Sequence, residues 1–159
     1  MILDITKGKD NPILRQVSPK QGPITKKTLK LLKDMEDSMI ATNGVGIAAP
    51  QVGMNTRIAH ITINKTQVFT IINPEIIAKS KETEEDTEGC LSLPGKWGPV
   101  ARAKELTLRF TDLTGKKRVM KFKDFEARIV QHEVDHLNGT LFIDHVPEGM
   151  LEIEGGLAL

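Results

Sequence analysis

Leu29, Leu32, Met35 and Met39 recur at helical spacing with Lys and Asp between them, which predicts a helix over about residues 26–42. Asn43-Gly44 supplies its stop, because both residues tolerate a left-handed backbone. The β-branched segments 57–63 and 67–72 predict strands, with Asn73-Pro74 as punctuation and pairing resumed over Glu75 to Ala78. Leu91-Ser92-Leu93 reads as a short strand ended by Pro94-Gly95. Residues 105–111 and 117–123 alternate apolar and polar and are joined through Asp112-Leu113-Thr114-Gly115, a hairpin pattern. Asp124 is then expected to cap a second helix over about 125–137, ended by Asn138-Gly139. Upstream, residues 8–24 are rich in Gly, Pro, Lys and Gln and read as an extended N-terminal arm. Strands followed by a late helix, without regular βαβ alternation, argue for the α+β class. A chain of 159 residues is expected to form one domain, residues 1–159.

Composition narrows the classes of function. The hydrophobic share is 39%, ordinary for a globular chain, and the net charge is +1 with acids and bases interleaved. Neither the basic face of a nucleic-acid binder nor an acidic tail is indicated, so direct sequence-specific nucleic-acid binding is not expected. The acidic run Glu82, Glu84, Glu85, Asp86, Glu88 reads as a solvated loop or strand edge. No apolar run approaches the roughly 18 residues of a membrane span. The start, MILDITKGKDNPIL, lacks a secretory h-region, so the expected compartment is the cytoplasm. Cys90 is the only cysteine, which excludes a disulfide within the chain and leaves a buried apolar residue, a metal ligand or a nucleophile.

The second helix carries the chemistry. QHEVDHLNG, residues 131–139, contains H-E-x-x-H, and the 4, 3, 4 spacing of Phe125, Ile129, His132 and His136 puts them on one face. Two imidazoles one turn apart can converge on a single ion, with Glu133 beside them as the base of a metal-assisted hydrolysis. A catalytic site of this kind needs a third protein ligand. The metzincin continuation fails, because Phe142 stands where a histidine is required. Glu152 or Glu154 could serve in a zinc peptidase, and Cys90, in TEGCLSLPG, is the third candidate. The segment GVGIAAPQVG, residues 44–53, lacks a phosphate-loop pattern. It reads either as a close-packed turn or as a place where a substrate backbone lies close, with the Gln51 amide offered to a developing oxyanion.

Together GVGIAAPQ, EGCLS and HEVDH match in order the three motifs G-x-G-x-A-A-x-Q, E-G-C-L-S and H-E-x-D-H, and over Ile2 to Val146 the chain resembles the peptide deformylases. The resemblance implies antiparallel sheets packed around a central helix that carries the H-E-x-x-H motif, with an N-terminal helix and extended arm. It implies removal of the N-formyl group from formyl-methionine of nascent polypeptides. Cys90, His132 and His136 would be the ligands of one divalent metal, Fe2+ in the cell with Ni2+, Co2+ or Zn2+ as substitutes. Glu133 would take a proton from water and hand one to the leaving amine, while Gln51 and the backbone N–H of Leu91 hold the oxyanion. Substrate contacts are expected from Val45, Gly46, Glu88, Gly89, Trp97, Phe125 and Ile129. Glu88 would also pair with Arg102 behind the site, and Trp97 could equally be core. Family members commonly carry an apolar residue in place of Arg128, so its side chain must snorkel out or intrude on the methionine pocket. The N-formylated nascent peptide is the expected partner of a monomer, with no membrane. Ribosome docking through a basic terminal helix is disfavoured by the short acidic ending LEIEGGLAL, which is a poor helix former.

Overall fold

Thr25 opens the first long helix with a capping box, its hydroxyl accepting the Thr28 N–H while the Thr28 hydroxyl accepts the Thr25 N–H. This helix, α2 (Lys26–Ala41), follows a short helix, α1 (Pro12–Arg15), that the composition of residues 8–24 did not reveal. Asn11 caps α1 and Pro12 starts it, so a single turn interrupts the otherwise extended arm. The computed structural model describes residues 1–153. Glu154 and most of the acidic ending lie outside the described residues.

Strands follow as β1 (Gly46–Ala48), β2 (Ile58–Ile63), β3 (Gln67–Lys79), β4 (Thr83–Cys90), β5 (Leu93–Ala103), β6 (Glu105–Thr111) and β7 (Lys117–Lys123). Helix α3 (Asp124–Leu137) and a two-residue β8 (Glu152–Ile153) complete the order. A 3-10 turn at Ala49–Val52 follows β1, and another spans Phe142–Asp144. The strands form a five-stranded sheet, β1-β2-β3-β6-β7, and a three-stranded one, β4-β5-β8, and every pairing is antiparallel. No helix among the described residues is long and apolar enough to cross a membrane.

Three apolar clusters organise the interior. The largest joins Ala127, Ile129, Val130, Val134 and Leu137 of α3 to the inner face of the five-stranded sheet, including Ile61, Leu108 and Phe110. A second packs Leu32, Met35 and Met39 of α2 against Ile47, Ile58 and Ile72. The third lies under the small sheet and holds Cys90 with Leu14, Leu93, Val100, Leu141 and Phe142. Helix α3 therefore sits between the sheets, as the resemblance implies.

Four local expectations change. Asn73-Pro74 does not break its strand; β3 runs on through a register shift between Ile72 and Glu75, because the Asn73 side chain bonds both backbone groups of Gln21 and compensates for lost pairing. Leu91-Ser92 is a turn rather than a strand, since β4 ends at Cys90 and β5 begins at Leu93. Asp124 makes no side-chain cap: its backbone is left-handed, with φ 56°, and its N–H donates to Lys104 O at 2.8 Å. The acidic run is the exposed edge strand β4 over residues 83–87, but Glu88 at its end is fully buried.

The end of α3 is the tightest backbone junction. Gly139 has φ +75°, and a Cβ there would run into the backbone carbonyl of Arg15. Gly139→Ala is expected to lower the unfolding free energy by about 2 kcal/mol or more, read as a lower urea midpoint at unchanged slope.

Candidate metal and catalytic site

Residues i and i+4 of α3 bring the rings of His132 and His136 to a centroid separation of 5.0 Å at 69°. Cys90 arrives from the other sheet, at the end of β4. Its Sγ lies 3.3 Å from His136 Nε2. One ligand atom from each of Cys90, His132 and His136 falls within 4.8 Å of the others, and all three residues are buried. Glu133 is fully buried beside them, where Gly46 of β1 leaves the space its carboxylate fills: a Cβ on Gly46 would meet the Glu133 Oε2, Cδ and Cγ atoms.

The surroundings fix each group. Glu88 and Cys90 are two residues apart on β4 and both turn toward α3. His132 Nδ1–H donates to Glu88 Oε1 at 2.9 Å, which leaves Nε2 with its lone pair free. Phe142, at the position where a metzincin would need a third histidine, stacks on the His132 ring at 6.4 Å. Gln51, on the 3-10 turn, accepts the Ala48 N–H at 2.9 Å through Oε1, so its Nε2 must face the other way. There Nε2 approaches Ser92 Oγ at 3.2 Å and Cys90 Sγ at 3.6 Å.

Among the described residues, several buried atoms of this site have no partner: His132 Nε2, His136 Nδ1 and both Glu133 oxygens. The orphaned His132 Nε2, together with His136 Nε2 beside the Cys90 thiol, is what a cation would satisfy, and the free Glu133 oxygens are left to act beside it. The titration behaviour agrees. Burial pushes the Cys90 thiol up to about 12, with Glu133 and Glu88 adding to the rise. Burial raises the Glu133 carboxyl well above the carboxylate range, reinforced by Glu88. Burial also lowers His136 well below the usual histidine value. A dication among these groups favours the thiolate, and its entry releases a proton. Soft sulfur with two imidazoles suits Fe2+, Co2+, Ni2+ or Zn2+ and not Mg2+ or Ca2+.

Of the residues expected at the site, the structure brings together Cys90, His132, His136, Glu133 and Gln51, and sets Leu91 half-buried in the turn directly after the cysteine. Val45, Phe125 and Ile129 line one apolar cleft of about 380 Å³, with Phe125 half exposed at its mouth. Gly46 and Gly89 turn their side-chain-free faces to Glu133 and to the Trp97 ring, respectively. Two expected substrate contacts are corrected. Glu88 is fully buried with both oxygens engaged by Arg102, Arg128 and His132, so no peptide reaches it. Trp97 is 7% exposed and packs over Gly89 as core, because a ring there fills the space a side chain at residue 89 would take. Arg128 does not snorkel outward: it is 5% exposed and turned to Glu88, away from the cleft. The alternative ligand Glu152 is exposed on β8, paired with Trp97 of β5.

Sequence reasoning assigned nothing to Ser92, Asp135 or Gln131. Ser92 holds the Gln51 amide, Asp135 accepts from Arg102 at 2.6 Å, and Gln131 bonds both backbone groups of Ala103. Ser92 and Asp135 stand inside the motifs EGCLS and HEVDH, which was the available signal; Gln131 carries none beyond adjacency.

Comparison with known proteins gives one family throughout. Residues 2–150 match the family model for polypeptide deformylase. The chain is 46% identical over 137 residues to a peptide deformylase of Pseudothermotoga lettingae, covering 86% of this chain and 79% of that one. It is 44% identical to the peptide deformylase of Dictyoglomus thermophilum, covering 97% and 99%. The crystal structure of a class I type b peptide deformylase from Acinetobacter baumannii with Met-Ala-Ser bound superposes with TM-score 0.87 at 34% identity, covering 92% of this chain and 99% of that one.

The burial of Glu133 has a consequence for the metal-free protein. Its folded value lies above the ordinary 4.5, so the folded state holds a proton that the unfolded state loses as pH rises past 4.5. His136, with its lowered value, gives the opposite slope up to about pH 6.5, so it is the Glu133 contribution alone that is expected to fall from about pH 4.5 toward neutrality. Glu133→Gln lacks that slope. The stability difference between the two, in chelator-treated samples, should therefore grow in favour of the variant between about pH 4 and pH 7.

Proposed function

The chain belongs to the polypeptide deformylase family, and from that premise we propose how its own residues carry the reaction. The protein is a metal-dependent hydrolase that removes the N-formyl group from nascent polypeptides. The observation that carries the reading is the buried convergence of Cys90, His132 and His136 next to the unpaired Glu133 carboxylate.

Cys90 Sγ and the two histidine rings would hold the ion, which in this reading is Fe2+ in the cell with Ni2+, Co2+ or Zn2+ able to replace it. When bound, the ion supplies Lewis acidity at the formyl carbonyl and lets water act as a nucleophile near neutral pH. Glu133 takes the proton from the attacking water as its oxygen joins the formyl carbon. The charge that develops on the carbonyl oxygen is met by Gln51 Nε2–H, whose direction is pinned by the Ala48 N–H on its other end, and by the Leu91 N–H. Glu133 then gives its proton to the departing nitrogen as the C–N bond breaks, leaving formate and a free amine. A carboxylate with no competing hydrogen bond among the described residues suits both halves of that shuttle.

The cleft of Val45, Phe125 and Ile129 takes the methionine side chain. Its floor is free of the Arg128 charge, which favours an unbranched apolar side chain there. Formyl presents only hydrogen on its carbonyl carbon, and the close packing of Gly46 against Glu133 favours it over bulkier acyl groups. The reading places the enzyme in the cytoplasm, where a lone thiol ligand stays reduced.

Formate release from formyl-Met-Ala-Ser by anaerobically prepared Fe2+ or Ni2+ protein tests the whole reading, and no release would sink it. Glu133→Ala is expected to keep one metal per chain and lose about 10²- to 10⁴-fold in turnover; full retained rate would remove Glu133 from the shuttle. Gln51→Leu is expected to lower kcat by about 10²- to 10³-fold with KM little changed, in a pre-steady-state and steady-state comparison.

A further inference from the structure

The proposed ligand set is split between two bodies. His132 and His136 ride on α3, which is packed by its apolar face into the five-stranded sheet. Cys90 rides on β4 of the other sheet. No α3 residue belongs to the apolar cluster that surrounds Cys90 among the described residues. Besides the Cys90–His136 contact itself, polar contacts tie α3 to β4 and β5: Arg128 and His132 to Glu88, Gln131 to Ala103, and Asp135 to Arg102.

Arg128 is the widest of these ties. Its Nη1 donates to Glu88 Oε2 at 2.6 Å and to Val100 O at 2.8 Å, and its Nη2 donates to Glu84 O at 2.7 Å. One guanidinium thus grips the backbone of β4, the backbone of β5 and the Glu88 carboxylate from a single position on α3. Arg102 also pairs with Glu88, at 2.9 Å through both Nε and Nη2, but both residues belong to the β4–β5 hairpin, so that pair does not itself join the hairpin to the helix. The planar fork with several donors is a property of Arg, and Lys supplies only a point charge on a flexible stem.

We propose that Arg128 is a positioning residue for the metal centre: it holds Glu88, and with it the Cys90-bearing strand, in register with the His132–His136 turn. It sets how firmly the metal is retained and leaves the peptide cleft untouched. This rests on the reading of Cys90, His132 and His136 as the ligands, and the test separates the two. Outer residues that orient a ligating histidine typically carry about 10- to 100-fold in metal affinity.

The full chain is loaded with Co2+, and wild type, Arg128→Met and Arg128→Lys are compared by their visible and thiolate-to-cobalt absorption and by the rate of Co2+ loss to excess chelator. Wild type without a thiolate band would overturn the ligand reading itself. With that band present, Arg128→Met is expected to show an altered cobalt spectrum and about 10- to 100-fold faster Co2+ loss, with KM for formyl-Met-Ala-Ser unchanged. Arg128→Lys should fall between them, since it restores the charge beside Glu88 without the fork. Leu32→Ala, in the remote α2 cluster, lowers stability without touching these contacts, so its Co2+ loss should match wild type. Co2+ loss from folded Arg128→Met within twofold of wild type overturns the proposal. So does a rise in KM at unchanged Co2+ retention, which would make Arg128 a substrate contact. If Arg128→Met does not fold, Arg128→Lys decides, and wild-type retention by it overturns the proposal.

Discussion

A fully buried carboxylate, Glu88, joins the two halves of the site. It accepts hydrogen bonds from Arg102, Arg128 and His132, and the balance of charge is strongly in its favour. Burial alone would raise its proton affinity, but Arg102 and the His132 ring hold it well below the carboxylate range. Such a group is stable in a dry interior only while every oxygen is partnered, because an uncompensated buried charge costs several kcal/mol. Its location therefore dictates where β4 must lie against α3. Two residues on, past a register shift at the end of β4, Cys90 reaches His136 at 3.3 Å. The same carboxylate accepts the hydrogen bond of His132 Nδ1–H, which decides the tautomer and leaves the Nε2 lone pair free.

Around this anchored pair the backbone approaches more closely than side chains would permit. Gly46 admits the Glu133 carboxylate against β1, and Gly89 admits the Trp97 ring against β4. The first contact buries an acid without a hydrogen-bond partner, a local loss of stability at the point where a free carboxylate is chemically useful. The second gives Trp97 a packing role and stiffens the strand next to the ligand thiol. Stability lost at Glu133 is offset by the three apolar clusters, above all by the packing of α3 on the large sheet.

Much was legible in the chain because local rules settle it. Helical spacing in α2, the alternation of β6 and β7 around a five-residue connection, and the H-E-x-x-H turn depend on contacts between near neighbours. Local signals misled where a distant partner took over. Asn73 stays within β3 because Gln21 satisfies its side chain, and Asp124 leaves its capping role because Lys104 binds its backbone. Leu91-Ser92 reads as a strand by composition but turns, since Cys90 and Leu93 pair with each other.

The side-by-side placement of His132 and His136 was legible in sequence alone, since i and i+4 on one helix share a face, and Glu133 followed from the H-E-x-x-H pattern. Cys90 stood among three candidates on the residues themselves, and resemblance to a family singled it out. Only the tertiary structure decided that Glu88 and Trp97 face the interior rather than the peptide, that Arg128 turns from the cleft to grip two strands, and that Ser92 and Asp135 brace the site. Those outcomes depend on which sheet packs against which face of α3, a contact between residues some 40 positions apart that no local pattern encodes.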